Sequence, residues 1–413
     1  MDEVTVDERP LLALFHDETS ISILQAFEVA HDWCRIAWVV GWSPDKPPLR
    51  LLSRFGDVLD VTGMDEAQAI AYLTAHALDG VIVFTDAPIR LAAAVAEKLN
   101  LPFHSPHSAT LLTDKVAQWT ALQNAGLPVP AFAAVRQGDV ETNVPFPAVL
   151  KPREGAGGRD TFRIENADQL AEALGKCDPD EEFILEEWLP DRAPHGSSAD
   201  LVSVESLVRE GAIEHIAVTG RFPFAEPFRE TGLFLPSDLG PTDQAAVIAL
   251  AGAAAKAMQV RQGFLHTEVK MTPDGPRIVE VNGRLGGGIS GMIARIGGPT
   301  LSVWAVRLAL GQDVGPIPVL TDSKIAFYYF IVSPLLATQV GSIEGLSELN
   351  ALLGIDEVRL NRPAGDSVSS RESTHQGHVI RFDGMVGSHA ELFDLIERKI
   401  PSTVHLTWTF ADA

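Results

Sequence analysis

Residues 263–291 read GFLHTEVKMTPDGPRIVEVNGRLGGGISG, and their pattern decides the fold. Alternating apolar and polar positions predict two strands, Phe264 to Met271 and Pro276 to Asn282. Between them Thr272-Pro273-Asp274-Gly275 has the chemistry of a tight hairpin turn. Side chains alternate faces along a strand, so Glu280 and Asn282 point the same way, and Glu268 can lie opposite them. Two carboxylates and an amide oxygen on one face are the hard-oxygen donors Mg²⁺ prefers when phosphates complete its shell. Arg284 and the backbone amides of Gly286-Gly287-Gly288 follow directly, a combination suited to phosphoryl chemistry. Glutamates at alternate strand positions also mark a solvated sheet face, and spacing alone leaves both readings open.

Gly286 to Gly291 also satisfies G-x-G-x-x-G. No second parallel strand with the expected acid follows it, which argues against a dinucleotide fold.

Upstream, Pro145 to Ile164 (PFPAVLKPREGAGGRDTFRI) predicts a strand ending at Lys151-Pro152, a glycine-rich turn and a second strand. Gly155, Gly157 and Gly158 at the tip would expose backbone amides to phosphate oxygens; a plain flexible hairpin reads the same way. The G-x-x-x-x-G-K-[ST] pattern is absent, so a nucleotide would not be held by a P-loop. Thr113 or Asp114 can cap a helix running to about Asn124, with Lys115 in its first turn. A cation there opposes the helix dipole, which suggests another use for it, although an ordinary exposed helix lysine reads the same way. Phe183 to Leu189 (FILEEWL) predicts a strand whose edge can hydrogen-bond an adenine. Strands are expected over Leu201 to Val208, which carries Glu205, and over Ala212 to Thr219. Phe222 to Ser237 reads as a Pro- and Phe-rich loop with Glu226, Arg229 and Glu230, and Thr242 to Val260 as an Ala-rich helix.

Residues 11 to about 105 alternate short apolar runs with helical patterns, a small parallel α/β unit that could wall a substrate cleft. After Pro316 the composition shifts toward a smaller α+β unit, with a polar, exposed loop over Pro363 to Gly377. The organisation expected is 1–105, 106–315 with a lid lobe at about 130–190, and 316–413.

The whole chain sets bounds. At 413 residues there is core enough for two to four subdomains, and 46% apolar with 21% charged residues is ordinary for a globular enzyme. A net charge of −23 argues against nucleic-acid or membrane-surface binding, yet leaves ATP open where local cations and Mg²⁺ make a positive pocket. Two distant cysteines, Cys34 and Cys177, suggest no disulfide framework and no zinc cluster, and a reducing, cytoplasmic setting. The acidic start is unlike a signal peptide, and no apolar run reaches the roughly 18 residues a membrane span needs.

Taken in order, the T-D-K helix start, the V-L-K-P strand, the glycine-rich hairpin, I-L-E-E-W-L and E…E-V-N-G-R resemble the ATP-grasp superfamily over roughly residues 10–400. R-E-T-G-L-F-L-P, H-T-E and E-V-N-G-R-L-G-G-G are similar to the bacterial L-amino-acid ligases. The resemblance implies an ATP-grasp fold with an N-terminal parallel α/β domain, a two-lobed nucleotide-binding domain and a C-terminal α+β domain. It implies ATP with Mg²⁺ (or Mn²⁺), small carboxylate and amine substrates, and a monomer or homodimer. By this resemblance Lys115 and Lys151 hold the ATP phosphates, with Gly155, Gly157 and Gly158 in the lid. Glu186, the backbones of Glu187 and Leu189, and Trp188 receive adenine. Glu268, Glu280 and Asn282 ligate metal. Arg284 steadies the phosphoryl group, Glu230 faces the substrate amine, and Gly287 meets the substrate carboxylate. Leu233 is apolar where a relative may carry a polar ring, and the missing side chain of Gly288 implies a roomier pocket.

The implied reaction forms an amide through an acyl phosphate. Its rivals are an ATP-grasp carboxylase using bicarbonate, a ligase for another acceptor, a silent nucleotide-binding module, and a nicotinamide oxidoreductase through the Gly286–Gly291 match. The complete set Lys115, Lys151, Glu268, Glu280, Asn282 and Arg284 speaks against the silent module.

Overall fold

The computed structural model describes residues 7–17, 21–42, 48–139, 142–192, 197–226, 228–320, 323–369 and 377–410. The chain begins with a four-stranded parallel sheet of β1 (Leu11–Phe15), β2 (Arg35–Val40), β3 (Asp57–Asp60) and β4 (Gly80–Val83), in the order β3-β2-β1-β4. Each residue of β1 is buried, as expected for a strand covered on both faces by crossover helices. Helix Glu66–Thr74 starts on an Asp65–Gln68 capping box, and helix Ile89–Leu99 lays Ala92, Ala93 and Val95 on the sheet.

Two helices then lead inward. Ser105 caps helix Pro106–Thr113, which the sequence reading did not separate, and Asp114 caps helix Lys115–Asn124. A second small sheet, β5-β8-β6-β7, is formed by β5 (Phe132–Val135), β6 (Ala148–Pro152), β7 (Phe162–Ile164) and β8 (Phe183–Glu187). Helix Ala167–Gly175 covers it, and Leu150, Leu170, Phe183 and Leu185 make a separate core. The glycine-rich segment lies exposed between β6 and β7.

The central sheet has eight antiparallel strands, ordered β13-β12-β9-β10-β11-β14-β17-β16. They are β9 (Leu201–Arg209), β10 (Ala212–Arg221), β11 (Gly232–Leu235), β12 (Gln262–Thr272), β13 (Gly275–Asn282), β14 (Ile325–Val332), β16 (Ile355–Leu360) and β17 (His378–Val386). A separate pair joins β15 (Ala337–Glu344) to β18 (His405–Phe410). Helix Pro241–Ala257 packs Val247, Ala251, Ala254 and Ala255 against the sheet. The β12–β13 hairpin closes on Pro273-Asp274, with Gly275 at a positive φ of 103°.

Two readings are corrected. Phe222 to Ser237 is not all loop, because Gly232–Leu235 is a buried strand. The prolines around it hid a run too short to show alternation. Nor do all strands after residue 315 form a sheet of their own: β14, β16 and β17 extend the central one through β11. Residues 370–376 of the expected polar loop lie outside the described residues, and Ser367 of that loop bridges to Gln339.

The β11–β14 junction depends on Gly232, whose φ is 144° and where a Cβ would lie 2.2 Å from the Tyr328 carbonyl oxygen. Gly275 has positive φ but nothing within 4 Å. Urea denaturation should therefore show Gly275→Ala costing about 1 kcal/mol, from backbone strain alone. Gly232→Ala should cost at least ~2 kcal/mol, because the strands must also part. Equal losses would contradict the close approach.

Candidate active site

The hairpin of β12 and β13 sets Glu268 directly opposite Glu280, and His266 opposite Asn282. Like charges facing each other across a ladder repel, and the surrounding elements supply the compensation. Lys115 is buried at the first turn of its helix, with Nζ 3.0 Å from Glu280 Oε1 and donating to Gly155 O at 2.8 Å. The aim of that helix has a specific cause. Gln118, one turn on, donates from Nε2 to Val281 O (2.9 Å) and accepts from Val281 N–H (2.8 Å). This amide completes the edge of β13 and fixes Lys115 beside Glu280.

Lys151 on β6 pairs with Glu186 Oε2 at 2.9 Å, and Trp119 donates to Glu186 Oε1 at 2.5 Å. Burial opposes the charge on Lys151, but Glu186 and then Glu280 outweigh it and raise its pKa. Both oxygens of Glu186 are thus engaged inside the protein. The backbone N–H groups of Glu187 and Trp188 donate to Ala131 and Pro147. The Trp188 ring lies 4.4 Å from the Arg163 guanidinium and 5.0 Å from Lys270 Nζ. The glycine turn is tied at its base: Arg153 pairs with Asp114 (2.6 Å) and Glu182 (2.8 Å), and Arg90 with Glu154 (2.9 Å). Gly155, Gly157 and Gly158 all have positive φ and are exposed.

Behind Glu268 lies a buried chain of charge that sequence reasoning missed. Arg221, only 3% exposed, donates from Nη2 to Glu268 Oε1 at 2.7 Å and from Nη1 to Glu230. His266 sits 2.6 Å from Glu205 Oε1 and 3.5 Å from Glu268 Oε1. Burial disfavours a charged imidazole, yet the Glu205 carboxylate, with Glu268, pushes its pKa up to about 9. Burial also works against an ionised Glu268, but Arg221 and then His266 hold its carboxyl well below the usual carboxylate range. Of these groups His266 carried a signal, since H-x-E on one strand puts both on one face. Arg221 and Asp86 carried none.

Arg284 is held by Asp86, from the loop after β4, at 2.7 Å and 3.1 Å. The N-terminal sheet thus contributes a side chain to the site. Glu230 is gripped by Arg221 and by Tyr328, whose hydroxyl lies 2.9 Å from Glu230 Oε1 and 3.1 Å from Gly287 O. Gly287 itself is exposed. The extra room expected at Gly288 is not there, since a Cβ on Gly288 would lie 2.5 Å from the Tyr328 ring. Leu233 is buried and pairs across the sheet with Tyr328.

The donor set fits a hard divalent cation only when a phosphate shares it. Glu268 is kept ionised, and Glu280 and Asn282 flank it across the ladder. Among the described residues no group of three His, Cys, Asp or Glu side chains converges to hold a metal alone. Among them, too, Cys34 and Cys177 are unpaired, and no helix is long and apolar enough to cross a membrane.

Comparison with known proteins shows what the chain is similar to. Residues 112–288 match the ATP-grasp domain. The chain is 33% identical over 310 residues to carnosine synthase 1 of Gallus gallus, covering 68% of this chain and 32% of that one. It is 24% identical over 332 residues to an L-arginine-specific L-amino acid ligase of Bacillus subtilis, covering 77% and 78%. The chain spans only about a third of the length of the carnosine synthases it matches. The crystal structure of an L-amino acid ligase from Bacillus licheniformis superposes with a TM-score of 0.80 at 19% identity, over 98% of this chain and 100% of that one. The fold is ATP-grasp, with a parallel N-terminal sheet and antiparallel sheets after it.

The His266 charge should be visible in stability. Its folded pKa is raised, so its contribution is fully present below its ordinary value of 6.5 and is lost as pH rises through about 9. In chelator-treated protein the wild type should lose up to about 3 kcal/mol more than His266→Gln between pH 6 and 10. Parallel curves for the two proteins would refute the Glu205–His266 ion pair.

Proposed function

We propose that this chain, which carries an ATP-grasp domain, is an ATP-dependent carboxylate–amine ligase that joins amino acids, or an amino acid and a small acid, through an acyl phosphate. The observation that carries the reading is the register of β12 and β13, with Glu268 facing Glu280 and Lys115 drawn onto the pair. A triphosphate and a carboxylate repel, and a ligase must cancel that repulsion before the two can meet. Lys115 and Lys151 supply positive charge toward the phosphates, and Arg284 toward the transferring phosphoryl group. Glu268, Glu280 and Asn282 would hold Mg²⁺, which when bound neutralises phosphate charge. The carboxylate oxygen of the acid takes the terminal phosphoryl group of ATP, with ADP leaving. The amine of the second substrate then attacks the acyl carbon, and phosphate departs as the amide forms.

Each remaining group has work in that sequence. The glycine turn between β6 and β7 excludes water from an acyl phosphate that would otherwise hydrolyse. Glu230 accepts hydrogen bonds from the substrate ammonium, and Gly287 offers its backbone N–H to a carboxylate oxygen. Asp86 keeps Arg284 extended until phosphate oxygens compete for it. An amine anchor built this firmly favours an amino-acid substrate over bicarbonate, the substrate of the rival carboxylase reading. The relatives' names support the same reading, one a carnosine synthase and the other an L-arginine-specific L-amino acid ligase. A cytoplasmic setting fits two unpaired thiols.

A matrix of amino acids and small acids, scored for ATP-dependent phosphate release with products identified by mass, tests the reading. We expect release that requires both an acid and an amine, and a product heavier than the acid by the amine less water. Glu280→Gln should lower the rate by roughly a hundredfold or more while the melting temperature holds. Full activity in that variant would remove the hairpin from the mechanism.

A further inference from the structure

The buried imidazole of His104 takes no part in the chemistry above, yet it is bonded to the turn that joins the Glu280–Asn282 face to Arg284. His104 ends the segment leading out of the N-terminal unit, just before Ser105 caps the next helix. Its ring is 4% exposed, and its Nε2 lies 2.7 Å from Gly283 O. A carbonyl oxygen only accepts, so Nε2 carries the proton. Burial holds the pKa of the ring below its ordinary value of 6.5, so the imidazole is neutral and this is its single N–H. Nδ1 has no partner among the described residues. The approach is close because the ring passes two glycines: a Cβ on Gly263 would lie 3.1 Å from its Cε1, and one on Gly283 3.1 Å from its Nε2. Ser108, in the first turn of the helix that follows, donates to Gln259 O at 2.9 Å. The connector therefore grips the hairpin near the entry to β12 and at the exit from β13.

We propose that His104 is a positioning residue for Arg284: it fixes the peptide plane from which the arginine departs, and so aims the guanidinium at the phosphoryl group in transfer. The inference rests on reading Arg284 as the group that steadies that phosphoryl. The Gly283 carbonyl belongs to the planar peptide unit whose nitrogen is that of Arg284, so a bond to its oxygen sets where the Arg284 Cα stands. Asp86 holds the other end of the same side chain at 2.7 Å. When phosphate oxygens draw the guanidinium off Asp86, the backbone anchor is what remains to aim it. Packing does not supply that anchor, because His104 and Arg284 both border a cavity of about 60 Å³ lined by Val83, Phe264 and Leu285. With open volume on that side, the hydrogen bond rather than contact pressure holds the peptide in place.

The test compares wild type with His104→Leu, His104→Asn and His104→Gln, using ATP, Mg²⁺ and the acid–amine pair that the matrix above finds most active. Glutamine carries an amide N–H at the reach of Nε2, asparagine reaches only as far as Nδ1, and leucine donates nothing. His104→Leu and His104→Asn should lower kcat by roughly a hundredfold, the scale of an ~1 Å misplacement, while KM for ATP and the calorimetric Kd of MgADP stay within about twofold. That split marks an interaction made in the transition state. His104→Gln should recover most of the rate. Melting curves accompany each variant. A folded His104→Leu with the wild-type kcat overturns the inference. So does an equal loss in His104→Gln and His104→Asn, which assigns the effect to the shape of the ring. A MgADP affinity that falls in step with kcat also overturns it, since that is general damage to the site. If His104→Leu does not fold, His104→Asn against His104→Gln decides. These outcomes leave the ligase reading standing. A wild type inert toward every pair overturns the ligase reading and this inference with it.

Discussion

Two carboxylates face each other across the β12–β13 ladder, and the arrangement would be unfavourable in a bare hairpin. The rest of the molecule is organised around making that pair tolerable. Lys115 comes from a helix before the second small sheet, Arg221 from β10, His266 from the same strand as Glu268, and Arg284 from just past β13. No single element could carry so many charges at so short a range. Antiparallel strands and two flanking lobes let distant segments meet on one face, each with its own backbone bonds satisfied. Cations gathered to calm two acids are also the cations a triphosphate needs.

The arrangement is stiff where position matters and loose where access matters. Gln118 ties a helix to an otherwise open strand edge, and Arg153 locks that helix cap to the second small sheet through Asp114. Between those anchors the glycine turn projects into solvent with left-handed backbone that other residues resist. The glycine turn is thus anchored at its base by charged pairs and carries little apolar contact of its own.

Much of this was legible in residue order. The H-x-E and E-x-N spacings state which side chains share a face, and the Pro-Asp-Gly turn states that the two strands pair. The Asp114 cap and the Lys-Pro strand end were readable for the same local reasons. What stayed hidden was non-local. Arg221 is one arginine at a strand end, and its role depends on β10 lying just across β9 from β12. Asp86 meets Arg284 only because a parallel sheet 198 residues upstream docks there. β11 escaped notice because four residues bounded by prolines cannot show a period. Tyr328 stood in an apolar run, KIAFYYFIV, where nothing separates a plain core aromatic from one whose hydroxyl reaches Glu230.

The continuity of the large sheet past residue 315 bears on how the polypeptide can be dissected. β11 finds one neighbour in β10 and the other in β14, which the chain supplies some ninety residues later. A fragment ending after the glycine-rich loop would keep Lys115, Lys151, Glu268, Glu280 and Arg284. It would also leave the four residues of β11 as a raw, apolar border with open hydrogen-bonding groups, an invitation to self-association. The last third of the polypeptide is thus a seam in the same fabric, and trimming it would unravel the sheet at β11 before it touched the β12–β13 hairpin.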